Sequence, residues 1–412
     1  MAQRSFDIVL FGATGFTGSL VAEYLVKHAP PDLRWALAGR SLPKLEAVRA
    51  DLARVDARAA TLPIVLGDSQ DQASMDALAR DARVVCTTVG PYMKYGHALA
   101  AACANSGTHY CDLTGEVPFM RDVIDRHHAR AKETGARLVH TCGFDSIPSD
   151  LGVLVLHERA KAMGKKLAWV RMFVGESKGG FSGGTVASMM DLLDAARSDP
   201  GVRRVLGNPY ALDPDPGARG PDGKDQLGVR FDPDLGMWTG PFVMAAVNTR
   251  VVRRTHALLG HAYGPSFRYS EAMSFGKGPK GFLAASAVSA ALVAFVGAAS
   301  LGPTRRLLER TVLPAPGEGP SREQRDAGFF VVRFVAETEA DGAAPVRIAG
   351  RVEGKSDPGY GETAKMLSES AMCLALDGDS LAPGGGVLTP ASSMGMRLVD
   401  RLRRAGMVFE AQ

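Results

Sequence analysis

Residues 6–18 read Phe-Asp-Ile-Val-Leu-Phe-Gly-Ala-Thr-Gly-Phe-Thr-Gly, and the rest of the chain is organised around them. Ile8 to Phe11 is a short run of β-branched and aromatic residues, long enough for one buried strand. Gly12, Gly15 and Gly18 follow at once, and Leu20, Val21, Tyr24 and Leu25 then recur at helical spacing. Strand, glycine turn and helix in that order turn a weak glycine pattern into a dinucleotide-binding signal. Gly12 permits a tight turn. Gly15 lacks a Cβ, so a pyrophosphate can approach the backbone, and Gly18 lets the helix lie close on the strand. The N–H groups opening that helix bind phosphate, aided by the helix dipole. Gly12, Thr14, Gly15, Phe16, Thr17 and Gly18 are therefore candidate cofactor contacts.

The second strand, Arg34 to Ala38, ends in Gly39-Arg40-Ser41. An acidic residue at this junction would bind a ribose 2′-hydroxyl, whereas a cation suits a 2′-phosphate. Arg40 is a bidentate phosphate donor and Ser41 adds a hydroxyl, which favours NADP(H) over NAD. Ser41 also stands where it would cap the next helix, with Pro43 in the first turn. Asp68, after the third strand (Leu62 to Leu66), meets the adenine edge or caps a helix starting near Gln70. The fourth strand, Val84 to Val89, brings Thr88, Gly90 and Pro91 beside the nicotinamide half, since ligands lie at the carboxyl ends of parallel strands. His109 to Leu113 and Arg137 to Cys142 are two further strands. Strand and helix alternate to about residue 142, which predicts an α/β Rossmann-type doubly wound parallel sheet over residues 1–150.

The chain has 412 residues and 46% hydrophobic content, ample for two domains with full cores. A net charge of +4 is too small to argue for nucleic acid. No signal peptide is read at the amino terminus. Five cysteines without Cys-x-x-Cys spacing predict a reducing compartment, the cytoplasm, and no structural zinc. Cys103, His109 and Cys111 read as buried residues rather than metal ligands.

Three motifs carry a family resemblance: Gly90-Pro91-Tyr92, residues 107–116 (Gly-Thr-His-Tyr-Cys-Asp-Leu-Thr-Gly-Glu) and residues 142–150 (Cys-Gly-Phe-Asp-Ser-Ile-Pro-Ser-Asp). With them the chain resembles the saccharopine dehydrogenase-like oxidoreductases, and within these the trans-acting enoyl reductases of polyketide and lipid synthesis. The resemblance continues at residues 240–250, 357–360 and 386–390, so it covers most of the chain. It implies that the carboxyl-terminal helices return to the first domain.

Residues 151–358 read as a second, α+β domain with a largely antiparallel sheet, and residues 359–412 as the returning helices. Gly179 to Gly184 forms a substrate lid or a plain connector. Ser198 to Gly240, rich in Pro, Gly and Asp, is the longest irregular segment. Phe329 to Glu337 and Val346 to Gly354 alternate as a hairpin around Asp341-Gly342. Phe282 to Leu301 carries no charge and is flanked by Lys277, Lys280, Arg305 and Arg306. Three readings of it stand open: a buried helix, a segment touching the inner face of the membrane, and a span.

A bound nicotinamide cofactor implies hydride transfer. No tyrosine has a lysine four residues on, so the Tyr-x-x-x-Lys device of short-chain reductases is absent. Reduction of an enoyl thioester needs a proton donor and a partner for the developing enolate. Tyr92 is the first candidate, and Asp145 and Ser146 at the end of the last parallel strand are the second. Ser146 alternatively caps the helix opening at Pro148. Asp112 and Glu116 form a buried acid pair, or Glu116 caps the helix from Val117. Asn248, Arg250 and Arg254 hold a carboxylate or pantetheine phosphate, or are solvated. The expected partner is a small-molecule or carrier-bound acyl substrate, with oligomerisation left open. The alternatives are a saccharopine-type amino-acid dehydrogenase and a non-catalytic, NADP-bound, membrane-associated scaffold.

Overall fold

A computed structural model describes residues 4–179, 183–300, 319–340, 342 and 344–412. The chain divides into two compact units, one reaching to Ile147 and including Gly359–Ala405, the other Pro148–Pro358 with Gly406–Gln412.

The first unit holds strands β1 (Phe6–Phe11), β2 (Trp35–Gly39), β3 (Ile64–Leu66), β4 (Ala82–Thr87), β5 (His109–Cys111) and β6 (Arg137–Val139), plus a strand at Gly386–Leu388. Its order is Gly386–Leu388, β6, β5, β4, β1, β2, β3, and all pairs are parallel. Ile8, Val9 and Leu10 are wholly buried, as are Ala36, Leu37 and Ala38 beside them. Strands covered on both faces read as continuous apolar runs, which is why the sequence marks them. The strand at Gly386–Leu388 was not foreseen; it is three residues long, and its partner β6 lies far back in the chain. The connecting helices include α1 (Phe16–His28), α2 (Leu42–Val55), α3 (Gln72–Asp81), α4 (Tyr92–Tyr95), α5 (His97–Ser106) and α6 (Val117–Thr134). From β1 the chain builds outward through β2 and β3, then crosses to β4 on the other side. The switch point therefore lies between β1 and β4, where such sheets open a ligand crevice.

In the second unit, α7 (Ile147–Ala162) leads into β7 (Leu167–Lys178), which pairs in parallel with β10 (Arg268–Ser274) and antiparallel with β11 (Phe329–Thr338). The α7 backbone lies close against this sheet: a Cβ on Gly152 would come within 2.4 Å of the Phe334 ring. The remaining pairs, of β8 (Arg230–Asp232), β9 (Met237–Gly240) and β12 (Arg347–Gly354) with their neighbours, are antiparallel. The terminal strand Val408–Ala411 pairs with β12, so the last seven residues group with the second unit and not, as expected, with the first. The stretch expected to be irregular, Ser198 to Gly240, contains the last residue of α8 (Gly183–Ser198), then α9 (Pro200–Gly207), β8 and β9. Gly180 to Ser182 of the expected lid, Asp341 of the hairpin turn, and Leu301, Arg305 and Arg306 lie outside the described residues.

Helix α10 (Ala245–Leu258) corrects both expectations for its arginines. They are buried, and they tie down the preceding loop. Arg250 pairs with Asp225 at 2.5 Å, Arg253 with Asp222 at 3.0 Å and the Pro209 carbonyl at 2.9 Å, and Arg254 donates to the Leu212 carbonyl at 2.5 Å. Buried charges demand such partners. Asn248 likewise donates to Glu271 at 3.0 Å. Burial, ahead of the Tyr269, Ser149 and Asn248 hydrogen bonds that oppose it, pushes the Glu271 carboxyl up to about 7. Helix α11 (Gly278–Ser300) narrows the three open readings of the charge-free segment: only 11% of its apolar span is buried, so it is not a core helix.

Candidate functional site

The glycine turn at the end of β1 is built as the sequence demands. Gly12 has φ +95°, a conformation L side chains rarely adopt. Its carbonyl accepts from the Gly15 amide at 3.0 Å and from the Thr88 hydroxyl at 3.1 Å. Thr88 thus locks the turn of β1 to the end of β4, across the switch point. A Cβ on Gly18 would stand 2.1 Å from the Gly12 oxygen, so only glycine lets α1 approach this closely. The opposite holds at Gly15, where the Gly12 oxygen at 3.4 Å is the only heavy atom among the described residues within 4 Å of an added Cβ, its chain neighbours aside. Gly15 is the amino-terminal cap of α1 and offers no side chain to take the first-turn amides. Thr14 and Gly15 are exposed and Thr17 is half-buried. This open, donor-rich cradle fits a diphosphate. The Phe16 ring turns aside to pack edge-on against Tyr360, with centroids 4.7 Å apart.

Arg40 directly follows β2 and is exposed, with no partner among the described residues. Ser41 occupies the cap position of α2, but its side chain makes no capping bond, contrary to expectation. Both groups are thus available to an anion at the carboxyl edge of the sheet. Asp68 does not cap α3 either. That helix begins at Gln72 and is capped by Asp71, which accepts from the Ala73 amide at 3.0 Å. Asp68 instead closes a local turn by accepting from the Gln70 amide at 3.0 Å.

At the other side of the switch point, Gly90 is exposed and Pro91 half-buried. Tyr92 turns inward: its hydroxyl donates to the Thr87 carbonyl at 3.2 Å and accepts from the Leu113 amide at 3.3 Å. Burial, ahead of the neighbouring Asp112 charge, pushes its pKa well above the ordinary tyrosine value. Glu116 is not paired with Asp112 and does not cap α6. Its carboxylate accepts from the Tyr92 and Met93 amides at 2.9 and 2.7 Å, which caps α4 instead. Asp112 knots the ends of β5 and β6, accepting from Tyr110 (2.8 Å), Thr114 and Thr141 amides (3.1 Å each) and meeting His140 Nδ1 at 2.7 Å.

β6 ends at Val139, and after His140 and Thr141 residues 142–146 form a turn rather than the expected strand end. Thr141 sits there at φ +62°, uncommon for a threonine, held by Asp112 on one side and by its hydroxyl on the His140 carbonyl at 2.6 Å. Strain of this kind persists only where the surroundings over-determine it. The turn presents Asp145, half-buried beside Gly143 and Leu113. Unlike Asp112 and Glu116, Asp145 is hydrogen-bonded only to its own backbone among the described residues. Burial first, and the Asp112 charge second, push its carboxyl up to about 7. Ser146 is wholly buried just before α7.

The structure thus gathers Gly12, Gly15, Gly18 and Thr88 at one turn, while Tyr92 follows β4 and Asp145 follows β6, on either side of β5, with unlike surroundings. His140 and Thr141 were missed; the usable signal was a pair of polar residues at the carboxyl end of a predicted parallel strand. Cys103 and Cys111 are buried thiols whose pKa values burial raises, and His109 is pushed down to about 4 by burial.

The model of the saccharopine dehydrogenase NADP-binding domain matches residues 8–139. A Mycobacterium tuberculosis protein provisionally named a trans-acting enoyl reductase is 46% identical, over 99% of this chain and 97% of its own. A Mycobacterium ulcerans protein named trans-acting enoyl reductase is 42% identical, over 100% of this chain and 98% of its own. Among solved structures, apo saccharopine dehydrogenase (L-Glu forming) from Saccharomyces cerevisiae covers 98% of this chain and 99% of its own, with a TM-score of 0.54 at 12% identity. That likeness concerns the fold alone.

Proposed function

Because the chain belongs to the saccharopine dehydrogenase-like family, in its trans-acting enoyl reductase branch, and is an NADP-dependent oxidoreductase, we propose that it reduces the α,β-double bond of a carrier-bound, hydrophobic acyl thioester in lipid synthesis. The observation that carries this reading is end-to-end kinship with chains of that name, 42–46% identical with no domain unmatched. The amino-acid dehydrogenase alternative is not favoured.

NADPH, when bound, supplies a hydride. Gly12, Gly15 and Gly18, with the α1 amides of Phe16 and Thr17 and the Thr14 side chain, would hold its diphosphate. Arg40 and Ser41 would take the 2′-phosphate, Asp68 would flank the adenine, and Thr88, Gly90 and Pro91 would line the nicotinamide side. The chain's own chemical task is to deliver a proton to the substrate α-carbon. Asp145 is the residue we assign to it: a carboxyl lifted to about 7 is partly protonated at neutral pH, near the optimum for a general acid. Tyr92, its hydroxyl engaged by two backbone groups, acts as a positioning residue for the β4 and β5 ends.

The test is NADPH oxidation by the purified protein. Turnover is expected with medium- and long-chain enoyl thioesters on a carrier protein or its pantetheine, and none with oxo-acid and amino-acid pairs. Turnover confined to the latter pairs would overturn the reading. Tight NADP binding with no turnover on any substrate would support a scaffold instead. Cofactor choice has its own test. Losing a hydrogen bond to a charged group is worth about 1.5–3 kcal/mol, so Arg40→Ala should weaken NADPH by roughly 10- to 100-fold and leave NADH nearly unchanged. Equal losses in titrations with both cofactors would remove Arg40 as the selector.

A further inference from the structure

Helix α11 is apolar almost all round. From Phe282 to Ser300 it has no charged side chain, yet Leu283 is 65% and Val293 69% exposed. One stripe faces the protein: Gly281, Ala285 and Ala299 are buried, and Ser289, Leu292 and Phe295 are half-buried. The amino-terminal half packs on β9, where a Cβ on Gly240 would meet Ser289 Oγ at 3.3 Å. At about 100° per residue, the exposed pairs 283–284, 287–288, 290–291, 293–294 and 296–297 wrap more than half of the circumference. Beside the helix start runs an aromatic ladder. Phe282 meets Trp238 edge-on at 4.9 Å, and Trp238 meets Phe231 at 5.5 Å, with Phe231 itself exposed. Lys277 and Lys280 stand exposed at the same end, without partners among the described residues. The nearby acids are already occupied, Asp232 by Arg171 at 2.5 Å and Asp234 by Arg347 at 2.6 Å.

We propose that α11 and the Phe231–Trp238–Phe282 ladder form a docking surface that lies in the plane of an anionic lipid bilayer. An interfacial helix normally carries its own polar face; here the protein body takes that place through the Gly281–Ala285–Ser289 stripe. The width of the apolar face points to lipid rather than a second copy. A partner helix covers a stripe of roughly a third of the circumference, whereas acyl chains cover any shape. The uncompensated lysines complement anionic headgroups, and aromatic side chains settle at the headgroup level. The helix lies flat and does not cross. β10 before it and β11 after it both pair with β7, so both its ends return to one sheet. A return crossing would have to carry Arg305, Arg306, Glu309 and Arg310 through hydrocarbon. This inference does not depend on the reductase reading, although docking there would bring the enzyme to membrane-borne acyl chains.

The test is co-sedimentation of the full-length protein with vesicles of phosphatidylcholine alone and with added phosphatidylglycerol. Binding to the anionic vesicles is expected, at least tenfold stronger than to neutral ones and weakened by salt. Leu283→Glu with Val293→Glu changes only exposed positions. It should abolish sedimentation while leaving NADPH binding and turnover of a soluble substrate unchanged. Lys277→Glu with Lys280→Glu should remove the anionic preference alone. Wild-type protein that stays in solution with both vesicle types would overturn the proposal, as would unchanged vesicle binding by the Leu283→Glu, Val293→Glu protein. A soluble wild-type dimer that this double substitution splits into monomers, with no vesicle binding, would assign the surface to a second copy and also overturn it.

Discussion

Alanine at position 18 is expected to abolish NADPH binding and lower the melting temperature together. The added Cβ would stand 2.1 Å from the Gly12 oxygen and 2.8 Å from its carbonyl carbon. Neither atom can easily yield, because the Gly12 oxygen already accepts from Gly15 and from Thr88 across the switch point. The clash is therefore with a pinned backbone, and α1 must lift off β1. Overpacking of this kind costs about 1–3 kcal/mol, and the displaced first turn no longer aims its amides at the diphosphate. We expect affinity to fall at least 100-fold in a fluorescence titration. Gly15→Ala supplies the contrast. Among the described residues its Cβ meets one atom, at an ordinary 3.4 Å, so the fold should melt as wild type while the methyl group blocks the phosphate approach. Loss of binding in both proteins, with loss of stability only in Gly18→Ala, is the pattern this cradle requires. A Gly18→Ala protein that titrates NADPH normally would show that the turn is no cofactor site.

The parts of the fold legible in sequence were those set by local pattern. β1 and β2 announce themselves because burial on both faces leaves uninterrupted apolar runs at residues 8–11 and 35–38, and the glycine spacing announces the turn. What escaped depends on partners distant in sequence. Nothing in Gly386–Leu388 reveals that it completes a sheet begun at Phe6. Glu116 stands in the local position of a cap for α6, yet its carboxylate caps α4, more than twenty residues earlier. Ser41 and Asp68 also match local capping rules that the structure does not use. The arginines of α10 look like surface residues until the loop that covers them is in place. The site was legible as a set of strand-end residues and not as a division of labour. Tyr92 and Asp145 both occupy such ends, and only the three-dimensional surroundings show one hydroxyl engaged and one carboxyl left alone.

That difference yields the second large effect. Asp145→Asn should lower kcat by roughly 100- to 1,000-fold, the usual share of a general acid, with NADPH affinity unchanged. The pH dependence follows from the raised carboxyl. An ordinary aspartate loses its proton near 3.9, whereas Asp145 keeps it to about 7 because burial, reinforced by Asp112, disfavours the charge. A proton donor of this kind is active on the acid side, so wild-type kcat should fall as pH rises through about 7. The residual rate of Asp145→Asn should show no such fall. Linkage gives an independent readout in the opposite direction. Because the folded pKa lies above the unfolded one, the stability Asp145 confers is full below about 4 and is lost as pH rises through about 7. The asparagine protein has no such proton to lose, so above pH 7 it should melt higher, relative to wild type, than it does at pH 4. A variant that loses turnover while gaining relative stability at alkaline pH marks a carboxyl held protonated for chemistry. If kcat survives within about threefold and the pH profile is unmoved, the proton comes from elsewhere, and the strain at Thr141 serves only to close a turn.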